Sequence, residues 1–387
     1  MRSDILVIGG GIIGLACARE LARQGRRVEV VERLHAGSGA SIAAAGMLAP
    51  LAEVPKPGPF LEACRASRDL WPAWIAELSA ETGLSIEYDA SGTLLVAHEA
   101  DEEAHLDKVA HAAAAVGEAA EEIHHDRFRE WVPDASPGIR RVLRLLGDHR
   151  VDNVQACAVL AAAALAAGVT LNYDVDVERI ELLDGGGAEG PGVRIHVRGG
   201  APREADHLVL ATGAWSGRIP GLPLLPVRPV RGQALLLQGV EWPWRGCLRS
   251  RHGYAVRRGA TGLLIGATVE EAGLLAQPTV AGIASLLAFT RHTLPGLDAT
   301  RLDTLWAGLR PATPDGLPLI GRLPGQPVWI ATGHFRNGIL LAPWTAREIA
   351  RQMTGQEPSG EAAGLSPSRF INLPMESEAG SGYTVHS

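Results

Sequence analysis

The stretch from Asp4 to Glu32, DILVIGGGIIGLACARELARQGRRVEVVE, constrains this chain more than any other. Ile5 to Ile8 is a short apolar run that ends directly in glycines, the pattern of a buried parallel strand. Gly9, Gly11 and Gly14 then form GxGxxG, followed by a helix with Leu15, Ala18, Leu21 and Ala22 on one face and a stop at Gly25. A second apolar run, Val28 to Val31, ends at Glu32. Gly9 permits a tight turn, Gly11 lets a pyrophosphate approach the backbone, and Gly14 lets the helix pack closely on the strand. The helix N-terminus offers unpaired N–H groups and a positive dipole end to phosphates. Glu32 is placed to accept hydrogen bonds from a ribose 2′- and 3′-OH. An acid there repels a 2′-phosphate, which argues against NADP and leaves FAD and NAD open. GxGxxG alone is a weak signal; the flanking strands and the closing acid make it specific for a dinucleotide.

A chain of 387 residues can bury a large core in two or three domains. Its net charge of −7 provides no basic field for nucleic acid. Lys56 and Lys108 are the only lysines, so 34 of 36 basic residues are arginine and none is singled out by type. Cys17, Cys64, Cys157 and Cys247 are scattered, with neither CxxC nor a His at metal spacing, and read as reduced thiols of a cytoplasmic protein. Asp4 and the glycines interrupt any signal-peptide pattern. The longest later apolar run, Ala156 to Ala167, is about half of the roughly 20 residues a membrane span needs.

Beyond Glu32, the small-residue run up to Pro50 suits a backbone lying close to a ligand, and Ile42, Met47 and Leu48 are too apolar for a linker. Trp71, Trp74, Ile75 and Leu78 recur at helical spacing between Phe60 and Glu81 and read as core. Thr93 to Ala97 reads as a strand, and Glu99 to Arg129 as one long, solvated helical region whose histidines form no liganding pattern. Asp152 and Asn153 are candidate caps for a helix over 154–167. Strands are expected at 170–173, 175–182, 193–197 and 207–211, with a Gly-rich turn at 185–192. From 234 the pattern turns antiparallel, with strands at 234–238, 254–257, 263–267 and 302–310 and a helix over 280–293. Short apolar strands return at 318–321 and 328–333 before a helix over 339–353. A Ser/Gly/Glu/Pro-rich tail, 361–387, is expected to be disordered.

Three further stretches are informative: SIAAAGML at 41–48, WAGLRP at 306–311 and GHFRNGILLAP at 333–343. With GGGIIG and VLATGAWS at 209–216, they make the chain resemble the glycine oxidases of the FAD-dependent D-amino-acid oxidase superfamily, from about residue 4 to 355. The resemblance implies an α/β fold. A Rossmann-like FAD-binding domain of glutathione-reductase type would be assembled from 1–85, 150–222 and 315–360. A substrate domain with a mainly antiparallel sheet and covering helices would take 86–149 and 223–314. Carried over by position, the flavin contacts are Gly9, Gly11, Ile12, Ile13, Gly14, Glu32, Arg33, Ala40, Ser41, Ala45, Gly46, Met47, Val177, Thr212, Gly213, His334, Phe335, Arg336, Asn337, Gly338, Ile339 and Leu340. A helix starting near Gly338 would aim N–H groups at the flavin edge that gains negative charge on reduction.

The resemblance assigns the substrate carboxylate to Arg310 and Arg336, with Tyr254 completing the clamp. A guanidinium fork matches both carboxylate oxygens, and a phenol adds one directed donor. The implied reaction oxidises glycine, sarcosine and small D-amino acids by hydride transfer to flavin N5. O2 is reduced to H2O2, and the imine feeds the thiazole of thiamine. No protein base is required, so His334 is assigned none. No cysteine follows Cys247, so a covalent C-terminal flavin link is absent and FAD is expected to be non-covalent. Relatives are often homotetramers. The rival readings are a D-amino-acid or secondary-amine dehydrogenase of the same superfamily, and an FAD-holding assembly protein without turnover. Trp306, Met47, Val269 and the 270–278 loop are the candidates for setting pocket size.

Overall fold

The computed structural model describes residues 2–54, 56–184 and 191–371. Strand β1 (Ser3–Ile8), helix α1 (Ile12–Arg23) and strand β2 (Val28–Val31) form the opening unit. The strands pair in parallel from Ile5 opposite Val28 to Ile8 opposite Val31. α1 is held tightly against the turn: a Cβ on Gly14 would lie 1.9 Å from the Gly9 carbonyl oxygen. Gly9 itself has φ +108°, a backbone region open to glycine and strained for other residues.

The first sheet runs Val177–Leu183, Gly192–Val197, Arg203–Leu210, β1, β2 and Thr170–Asn172. Val328–Thr332 adds in parallel beside Arg203–Leu210, so strands separated by more than 100 residues share one core. Apolar residues of α1, of Asn153–Ala166 and Gly338–Met353, and Trp71, Trp74 and Leu78 of Pro59–Thr82, form a continuous buried cluster on it. The second sheet runs Arg301–Ala312, Arg228–Gln238, Gly262–Gly266, Gly253–Arg258, Cys247–Ser250, Thr93–Ala97, Arg141–Leu145 and Ala120–Glu122. It is antiparallel except where Cys247–Ser250 meets Thr93–Ala97. This is the expected α/β architecture with a mainly antiparallel second sheet.

Three expectations need correction. The 99–129 region is not one helix: Ala100–Ala115 stops before the strand Ala120–Glu122, and His125–Trp131 is a separate helix. Gly117, with φ +71°, makes the break, and the strand is recruited by pairing with Arg141–Leu145. Asp152 caps its helix by accepting from the Val154 and Gln155 N–H groups, whereas Asn153 lies inside the helix and binds elsewhere. The chain also stays folded past 360: Ala362 and Leu365 are buried, and Arg369 pairs with Asp315. The rest of the expected tail, 372–387, and most of the 185–192 turn lie outside the described residues.

Candidate active site

A cavity of about 840 Å³ is lined by residues of both sheets, with Glu32 in one part and Arg310 in another. Around Glu32 the wall is mostly backbone. Gly9, Gly11, Ile12 and Ile13 line it at the start of α1. The Glu32 carboxylate is fixed there by the Gly10 N–H (2.7 Å) and the Leu34 N–H (2.9 Å). The Arg33 guanidinium sits over the Trp215 ring at 4.5 Å, and Val177, Thr212 and Gly213 complete this wall. Gly14 is not a lining residue; its role is the close packing described above.

The segment 40–46 crosses between the two parts as a one-turn helix, Ala40–Ala43, whose last carbonyls need partners from elsewhere. Distant side chains supply them. Asn153 Nδ2 donates to the Ser41 and Ile42 carbonyls (2.7 and 3.2 Å), Trp306 Nε1 to Ala43 (3.1 Å), and Arg258 to Ala44 (2.8 Å). Ser41 Oγ accepts from the Ile12 N–H at 3.0 Å, at the mouth of α1. Ala40, Ser41, Ala45, Gly46 and Met47 all line the cavity.

Around Arg310 the wall is built from long side chains. Arg310 and Tyr254 reach it because glycines on the neighbouring strands leave space. A Cβ on Gly232 would lie 2.3 Å from the Arg310 guanidinium, and one on Gly266 would lie 2.5 Å from the Tyr254 hydroxyl. Arg310 donates to the Thr268 carbonyl at 3.0 Å. Burial lowers the Arg310 pKa, and the adjacent Tyr254 works against that shift. Burial also raises the Tyr254 pKa, so the phenol keeps its proton and can donate. Arg336 reaches the same region and pairs with Glu53 at 3.4 Å. Val269 and Ala276 line the cavity with Met47, whereas Trp306 points to Ala43 instead.

Of the remaining expected contacts, His334, Phe335, Gly338 and Ile339 line the cavity, while Asn337 and Leu340 do not. Leu340 is buried, and its carbonyl accepts from Ser67 Oγ and Trp71 Nε1. The helix Gly338–Met353 begins at the cavity wall, preceded by Phe335 in the left-handed region at φ 49°. Burial lowers the His334 pKa to about 3, so the ring is neutral near pH 7; it is hydrogen-bonded to Thr345 Oγ1 at 3.1 Å.

Glu53 and Arg249, beside Arg336 and Tyr254 on this wall, are among the charged lining residues absent from the sequence reading. Glu53 is nearly enclosed and bridges Arg249 and Arg336. Burial favours its neutral form, but Arg249, Arg336 and Arg310 together hold its pKa below the ordinary value. Arg249 could have been found by counting back across the Ser250–Gly253 turn, which sets it opposite Tyr254. Glu53 carries no comparable local signal.

A glycine-lined cradle at the start of a βαβ unit, opening onto a wall that carries arginines and a tyrosine, is the arrangement of a flavin-dependent oxidoreductase. The model of the FAD dependent oxidoreductase (DAO) family matches residues 4–352, and the chain belongs to that family. It is 35% identical to a glycine oxidase of Bacillus licheniformis over 92% of this chain and 94% of that protein. It is 37% identical to the bifunctional protein ThiO/ThiG of a Nostoc species, covering 92% of this chain but 53% of that protein. The crystal structure of glycine oxidase from Geobacillus kaustophilus superposes with a TM-score of 0.88 at 30% identity, covering 96% of this chain and all of that one. The residues fit the family's cofactor. The cavity is of cofactor size, the backbone at Gly9 and Gly11 is bare, and an acid closes the second strand.

Proposed function

We propose that this chain is a glycine oxidase, acting on glycine, sarcosine and small D-amino acids. The observation that carries the reading is the pairing of Arg310 with Tyr254 over Gly232 and Gly266, in the cavity that the glycine cradle also lines. In this reading Gly9, Gly11, Ile12 and Ile13 hold the pyrophosphate of FAD, and Glu32 its ribose. The 40–47 segment and His334, Phe335, Arg336, Gly338 and Ile339 would lie along the flavin. FAD bound there would supply the two-electron chemistry that couples oxidation of the amine to reduction of O2 to H2O2.

The protein's own part is binding and orientation. Arg310 grips the substrate carboxylate, Tyr254 donates one hydrogen bond to it, and Arg336 adds positive charge. The cationic wall lowers the pKa of the bound amine and favours its neutral, oxidisable form. His334 takes no proton in this scheme. The two sheets are read as the cores of an FAD-binding and a substrate domain with the boundaries given above. The resemblance adds a cytoplasmic homotetramer and delivery of the imine to thiamine synthesis. No helix among the described residues is long and apolar enough to cross a membrane.

The test is the flavin's visible absorbance under anaerobic conditions before and after glycine, then on readmission of air. Bleaching followed by recovery with peroxide is expected. Bleaching by larger amines alone would overturn glycine as substrate. Recovery only with a quinone would make the chain a dehydrogenase, and no bleaching by any amine would end the catalytic reading.

A further inference from the structure

Arg249 lies on the substrate wall, yet the reaction above gives it nothing to bind. Its place follows from the sheet register. Arg249 is directly opposite Tyr254, and Tyr254 is directly opposite Gly266. Directly opposed residues on one sheet face stand about 5 Å apart at Cβ. A molecule gripped by Arg310 and Tyr254 therefore has Arg249 as its next neighbour along the sheet. Among the described residues the only hydrogen-bonded partner of the Arg249 guanidinium is Glu53, which takes one of its nitrogens. A guanidinium carries five N–H donors in a fork, so most of its capacity is unspent.

The charges point the same way. Arg249 and Arg336 share one carboxylate, Glu53, whose charge Arg310 also feels; Asp101, Glu102 and Arg251 line the cavity as well. With the substrate carboxylate on Arg310, Arg249 keeps Glu53 as its one ion-pair partner among the described residues and has donors left for a second acidic group. Burial opposes the charge on Arg249 and Glu53 restores it, so the guanidinium remains a cation.

We propose that Arg249 is a specificity-determining residue that receives a second carboxylate, so that this site oxidises acidic substrates in preference to amides of the same shape. Such substrates are glycines bearing a carboxyalkyl group on nitrogen and D-amino acids with an acidic side chain. The inference rests on the amine-oxidase reading of the site. The bond changes are unaltered: the amine loses one C–H and one N–H as two electrons and two protons, C=N forms, and O2 takes up both to give H2O2.

The test compares kcat/KM for iminodiacetate with that for its monoamide, and for D-glutamate with that for D-glutamine. The expected acid-to-amide ratio is roughly tenfold or more, the worth of one charged hydrogen bond. Arg249→Met should bring the ratio to about one, and Glu53→Gln, which frees Arg249, should raise it. Each ratio is read within one protein, so a general loss of activity cancels. If Arg249→Met fails to fold because Glu53 is left underpaired, the double variant Arg249→Met/Glu53→Gln removes both charges and should also lose the preference. A wild-type ratio of one or less, or a ratio that survives loss of Arg249, overturns the proposal.

A second readout needs no turnover: binding of succinate against its monoamide, followed through the spectrum of the oxidised holoenzyme. If glycine yields no peroxide, the oxidase reading fails on its own. The succinate comparison still decides the subsite: tighter binding of succinate, abolished by Arg249→Met, supports it, and equal binding overturns it.

Discussion

The two ends of the cavity solve recognition with different materials. At the Glu32 end the wall is mostly backbone that glycines leave bare, and the Glu32 carboxylate is tied to two N–H groups. At the Arg310 end the wall is made of long side chains crossing from neighbouring strands, and glycines serve as floors beneath them. The first arrangement is local in sequence, because 24 residues from Gly9 to Glu32 carry it. The second depends on strand register: Arg310, Gly232, Tyr254 and Gly266 come from four strands. Backbone sites suit a constant ligand such as a dinucleotide, whereas side-chain sites can be retuned one residue at a time.

Variants at the two ends should therefore fail differently. Gly14→Val should do most damage, since its side chain would need the space of the Gly9 carbonyl. Little folded protein is expected, and what folds should carry flavin well below one per chain, as read by the visible-to-ultraviolet absorbance ratio. Arg310→Ala should leave flavin content intact yet cut kcat/KM for glycine about 10²–10³-fold, the usual loss when one partner of an enclosed charge pair is removed. If Arg310→Ala instead loses flavin, the division of labour between the ends is wrong. Gly232→Ala adds one methyl group 2.3 Å from the guanidinium, and should raise KM roughly tenfold by displacing it. Tyr254→Phe removes one donor and should cost about 1 kcal/mol, close to fivefold in kcat/KM.

An effect on stability rather than on turnover concerns the support behind Glu53. Asp148 is fully buried and accepts from the Leu51 N–H at the start of the Pro50–Glu53 turn. Burial raises its pKa to about 7. A raised folded-state value means that Asp148 contributes stability below its unfolded value of 3.8, which is lost as pH rises through about 7. Asp148→Asn should therefore gain on the wild type between those limits, by an amount on the order of 1–3 kcal/mol that levels off above pH 7. Denaturant titrations across that range measure it. A flat difference would show that Asp148 is ionised throughout.

Legibility followed the same division. The GxGxxG unit, its strands and Glu32 follow from short-range pattern alone, because turn, helix start and closing acid are fixed within one βαβ segment. Arg310 and Tyr254 were reached through the resemblance, and the structure brings both into the cavity. Arg249 and Glu53 were missed because their meeting depends on strand order and on where a short turn lands, neither of which has a sequence period. The break at Gly117 was missed because helix propensity in an alanine-rich stretch was outweighed by pairing with a strand more than 20 residues further on.

The segment 41–44 is moored from both sides. Asn153 pulls on it from the first sheet's helix layer, and Trp306 and Arg258 pull from the second sheet. Any motion that lifts this segment must release donors on at least one side. During folding, the moorings can be completed only after both sheets have met. The order of assembly is thus constrained: this part of the cavity wall is finished last, when donors from both sides have reached the same four residues.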